Sequence, residues 1–98
     1  MKINQYCEVC HKIAVSKGFW DGERNQGELI ALMHSELSEA LEALRSNDET
    51  KNNIAEELAD TCIRIFDYCG AFGLDLENAI NNKIETNKQR TRLHGKKF

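Results

Sequence analysis

Apolar residues return at every third or fourth position through four long segments of this chain, and no proline interrupts them. A 3.6-residue period of that kind commits a segment to an amphipathic α-helix. A β fold would need alternation with a period of two, which is absent over any useful length.

The first segment spans about 4–16 and sets Ile3, Cys7, Cys10, Ile13 and Ala14 at helical spacing. The second spans about 26–46, with a broad stripe of Leu29, Leu32, Met33, Leu37, Ala40, Leu41 and Leu44. The third begins near Lys51 or Asn52, carries Ile54, Leu58, Cys62, Ile65, Cys69 and Phe72, and ends around Gly70 or Gly73. The fourth follows Asp75, a candidate N-cap, and carries Leu76, Ala79, Ile80 and Ile84 before a basic tail, QRTRLHGKKF. Short connections between long helices favour antiparallel neighbours. The expected fold is therefore all-α: one four-helix unit over residues 1–98, with no second domain at this length.

Ordering a chain of this size costs on the order of 100 kcal/mol or more of conformational entropy, so one small core leaves little surplus. A homo-oligomeric helical bundle is expected, a dimer first because it needs one self-complementary interface, with a tetramer open. A net charge of −3 argues against a stable nucleic-acid partner bound through a basic surface, but permits phosphate held through a divalent metal. The start of the chain has no basic segment followed by an apolar run, and no stretch is long and apolar enough to span a bilayer, so a cytoplasmic protein with no membrane partner and reduced thiols is expected.

The residues that break the apolar pattern carry the chemistry. In HSELSEALEAL, Glu36 points into the middle of its helix's stripe and Glu39 lies at the edge. A carboxylate there calls for a cation, a metal or water-filled space. Glu57 and Asp60 repeat the three-residue spacing on the next helix: Glu57 borders the apolar arc, whereas Asp60 lies on the polar side with Asp67. Four hard oxygen ligands converging between two helices suit Mg²⁺, with Mn²⁺ as a substitute, and leave positions for phosphate oxygens and water. The alternative is an ordinary solvated helix face, the reading given to Glu42, Glu49 and Glu56. On the fourth helix Lys83 and Asn87 lie near the centre of the stripe with Arg90 beside them, a set that complements phosphate or pairs with interior carboxylates.

Taken together, HSELSEALEALR, EELADTCIRIFD and KIETNKQRTRLHGKK resemble the MazG-like nucleoside triphosphate pyrophosphohydrolase family, a group of all-α enzymes. The resemblance covers nearly the whole chain. It implies that Glu36, Glu39, Glu57 and Asp60 are Mg²⁺ ligands and that Lys83, Asn87 and Arg90 contact phosphate and nucleotide. It further implies hydrolysis of a nucleotide between its α and β phosphates, to a nucleoside monophosphate and pyrophosphate, in a dimer or tetramer. The metal would lower the pKa of the attacking water, which Glu39 would orient or deprotonate.

The loop KGFWDGERNQG places Phe19 and Trp20 together, either to close one end of the core or to form part of a nucleobase pocket or subunit contact. CEVCH (7–11) formally matches a haem-attachment or metal pattern, but small apolar packing is expected of the cysteines, with Cys62 and Cys69 facing the core beside Ile65. His34 lies off its helix's apolar stripe, and His94 belongs to the basic tail. A reading of another class is a non-enzymatic helical oligomerisation or regulatory module with structural interior ion pairs.

Overall fold

The computed structural model of the chain describes residues 1–46, 53–90 and Lys97. Four helices follow one another: α1 (Ile3–Ser16), α2 (Gln26–Arg45), α3 (Ile54–Phe72) and α4 (Leu76–Gln89). There is no strand among the described residues. Nor is any of their helices long and apolar enough to cross a membrane. His94 and most of the basic tail lie outside the described residues.

Each helix starts where a side chain can take up an orphan backbone donor. Asn25 accepts from the Glu28 N–H at 3.2 Å, Asn53 from the Glu56 N–H at 3.0 Å and Asp75 from the Asn78 N–H at 3.0 Å. At the head of α1 the Gln5 side chain reaches back to the Lys2 N–H at 2.6 Å. α3 ends at Gly73, whose φ of +65° lets the Leu74 N–H return to the Cys69 carbonyl.

α3 lies between α1 and α2. Its partners on each side run in reversed order: Gln26 with Tyr68 and Glu36 with Arg64 on α2, Cys7 with Cys69 and His11 with Asp67 on α1. α3 is therefore antiparallel to both. α4 meets the first turn of α1, where Asn4 Nδ2 donates to Asp75 Oδ1 at 2.9 Å and Asn4 Oδ1 accepts from the Glu77 N–H.

The seams are made of small side chains. Buried apolar residues are Cys7, Leu29, Ala40, Ala43 and Cys69, and the buried polar residues are Thr61 and Asp67. Several expectations are corrected here. Leu37, Leu41 and Leu44, expected in the core, are 47%, 53% and 68% exposed, because α3 packs against the flank of α2 that carries Leu29, Glu36, Ala40 and Ala43. On α3, Leu58, Cys62 and Phe72 are exposed while Asp67, expected on the polar side, is buried, because α1 and α2 close on the charged flank. Of the two cysteines expected inside, only Cys69 is. On α4, Ile80 and Ile84 are exposed and no residue is buried, so Lys83 and Asn87 lie in the open instead of in the centre of a covered stripe.

Candidate metal centre

Glu36, Glu57 and Asp60 come together across the α2–α3 seam, each offering a carboxylate oxygen, with all three within 4.8 Å of one another. The helical period explains it: Glu57 and Asp60 are one turn apart on α3, and antiparallel packing sets Glu36 opposite them. Glu36 and Glu57 are partly buried and Asp60 is exposed. Desolvation, followed by repulsion from Asp60, Glu39, Glu36 and Glu56, pushes the Glu57 carboxyl above its ordinary range. Glu39 thus stands close enough to repel Glu57, but it is exposed and is not one of the converging three.

Two recesses adjoin the acids. One, of about 710 Å³, is lined by Glu39, Glu42, Arg45, Asn53, Glu56 and Glu57. The other, of about 280 Å³, lies between α1 and α3 and is lined by Ile13, Phe19, Ile63 and Arg64 together with Glu36, Asp60 and Asp67. The acids therefore sit where a polar opening meets a smaller, more apolar one.

A residue outside the expected set completes the centre. Arg64 Nε donates to Glu36 Oε1 at 2.8 Å, with the two side chains 33% and 20% exposed. The guanidinium also lies 5.7 Å from the centre of the Phe19 ring, while Arg24 covers that ring at 4.2 Å. Arg64 falls four residues after Asp60 and seven after Glu57, so helical spacing alone marks it as sharing their face.

Behind the smaller recess lies a second polar group. Asp67 Oδ1 accepts from Trp20 Nε1 at 2.9 Å and lies 2.9 Å from His11 Nδ1. Trp20 meets the rings of His11, Phe19 and Phe72 edge-on, with centroids 5.3, 5.6 and 6.1 Å away. Trp20 therefore closes one end of the α1–α3 seam, whereas Phe19 faces the recess. His11 takes its place through Asp67, not through the neighbouring cysteines. Only the pairing of α1 with α3 could reveal this, since the partners are far apart in sequence.

Lys83 and Asn87 are exposed on α4, and Arg90 is exposed just past its end. α4 is anchored at the Asn4 end of α1, whereas the smaller recess beside the acids reaches Ile13 towards the other end. His34 is exposed on α2.

Compared with known proteins, the chain matches no family model, no curated sequence and no solved structure. Three carboxylate oxygens within 4.8 Å of one another suit a hard divalent cation, because the donors are all oxygen.

Proposed function

We propose that this chain is a Mg²⁺-dependent nucleotide pyrophosphohydrolase, of the kind its motifs resemble. The observation that carries the reading is the convergence of Glu36, Glu57 and Asp60 from two helices, next to an open recess. Desolvation and then repulsion by the neighbouring acids raise the Glu57 pKa, and such a group of acids gains most from a cation that neutralises all of them together.

On this reading Glu36, Glu57 and Asp60 hold the ion, with Glu39 joining them or orienting the attacking water. A bound Mg²⁺, or Mn²⁺ in its place, would neutralise charge along the phosphate chain and make a water more acidic. Glu39 is suited to the proton step because it is exposed on the larger recess and less engaged by neighbours than Glu36. Lys83, Asn87 and Arg90 bind phosphate, and the anchoring of α4 at the Asn4 end of α1 favours their reaching the acids of a second copy. Trp20, tied to Asp67, supports the Phe19 ring at the smaller recess.

The test is a panel of canonical, modified and phosphoribosyl nucleotides, assayed for both products. Equal release of monophosphate and pyrophosphate, abolished by chelation, is expected. Release of orthophosphate with a diphosphate, or no metal-dependent turnover from folded protein, rejects the reading.

The 2.8 Å Glu36–Arg64 pair favours a second reading, a helical oligomerisation or regulatory module whose interior charges are structural. That reading requires that neither Mg²⁺ nor nucleotide gives heat in titration calorimetry. It also requires that replacing Glu36 and Arg64 together by leucine preserves stability.

A further inference from the structure

Two of the four cysteines meet where α1 passes the last turns of α3. Cys7 and Cys69 are 4% and 6% exposed, and both line one cavity beside the close approach of the two helices. Gly70 makes this approach possible: a Cβ there would overlap the Cys7 carbonyl oxygen and lie 2.8 Å from His11 Cβ. The other two cysteines are placed differently, Cys10 half-buried and Cys62 exposed. A cavity of about 350 Å³, walled by Asn4, Glu8, Gly73 and Leu74, is lined by both members of the pair. The acidic centre adjoins neither this cavity nor its thiols.

We infer that Cys7 and Cys69 are a modification site, closing into a reversible disulfide by exchange with a low-molecular-weight disulfide of the glutathione type. Two buried thiols on closely packed neighbouring helices can be joined without rearranging the fold, and the cavity they share gives a small reagent a way in. Burial raises both pKa values, so both groups rest as protonated thiols. Either thiol can attack first, and the step is the same from each. When Cys7 attacks, it loses its proton to solvent, its sulfur bonds to one sulfur of the reagent, and the reagent's own S–S bond breaks to release one small thiol. Cys69 then attacks the Cys7 sulfur, the mixed disulfide breaks, and a second small thiol leaves with the Cys69 proton. The protein has lost two protons and two electrons, which the two small thiols carry away. The bond joins residues far apart in sequence, so it restricts the unfolded chain strongly and raises thermal stability.

The experiment uses the full chain as the variant C10S/C62S, which keeps only the pair, equilibrated in reduced and oxidised glutathione and acid-quenched. Intact mass is expected to fall by two hydrogens with no glutathione attached, both thiols to disappear together, and Tm to rise by several degrees. All three changes reverse with dithiothreitol. In the unsubstituted chain the bond should map to the same two peptides, and Cys69→Ser should stop at one glutathione on Cys7. Two thiols still free in oxidised glutathione, separate glutathione adducts on both, or a bond to Cys10 or Cys62 in the unsubstituted chain would overturn the inference.

Discussion

At the residue scale, the four acids are not equivalent. Glu36 has Arg64 as a partner, whereas Glu57 has mainly repulsive neighbours. Without metal, Glu57→Gln should raise Tm by a few degrees, because it removes a crowded charge. Glu36→Gln should lower it, because Arg64 loses its carboxylate. Both substitutions should cut turnover roughly a hundredfold or more and abolish the Tm increase that Mg²⁺ gives the parent. Calorimetric scans with and without Mg²⁺, beside the product assay, check this, and a Glu36→Gln variant with parental turnover and metal stabilisation removes Glu36 from the site. Asp67 is a separate case: it is buried and acts on two partners through one oxygen. Asp67→Leu leaves the Trp20 and His11 nitrogens without their acceptor and should cost about 1–3 kcal/mol, read by urea unfolding with Trp20 fluorescence as the probe.

At the scale of the element, helix ends and seams respond to different changes. The Asn4 side chain and the Asn78 N–H hold the Asp75 carboxyl below its ordinary value of 3.8. Ionised Asp75 therefore contributes stability that is present above that value and is lost as pH falls through the lowered one. Asp75→Asn, which keeps a capping oxygen, should flatten this part of the acid limb while leaving stability near neutral pH little changed, as unfolding curves between pH 2 and 6 would show. The α1–α3 seam depends on Gly70 instead. Gly70→Ala forces its Cβ against the Cys7 backbone and should destabilise the chain by about 1–3 kcal/mol, measured by the same unfolding curves. An unchanged midpoint would mean that the helices can separate without loss.

At the scale of the whole molecule, the radius of gyration is 16.3 Å, against about 13 Å for a compact domain of this length. Within the chain the helices meet through small and charged side chains, while Ile30, Leu37, Leu41 and Leu44 of α2 and Leu58 and Ile63 of α3 remain more than a third exposed. An apolar surface of that extent favours burial against another copy. Sedimentation equilibrium at micromolar protein should give at least a dimer, and Leu37→Glu with Leu41→Glu should shift it to monomer. If α4 serves the partner's acids, inactive Glu36→Gln and Lys83→Ala chains should recover part of the activity when mixed. No recovery in a demonstrated mixed dimer would place the two sets of residues in one chain's site.

Periodicity by itself located the four helices, and Asp75 and Gly73 stand at the ends expected of them, whereas the caps Asn25 and Asn53, the latter inside the span expected of α3, emerged only in the structure. The one-turn spacing of Glu57 and Asp60, and the odd position of Glu36 within an apolar stripe, were legible for the same local reason. Which flank of each helix faces inward was decided only in tertiary structure. A wheel shows that Leu37, Leu41, Leu58 and Cys62 are apolar, but burial depends on where the neighbouring helices lie. Here they close on the flanks bearing Ala40, Ala43, Thr61 and Asp67, because small side chains let helices approach and Arg64, His11 and Trp20 satisfy the charges carried inward.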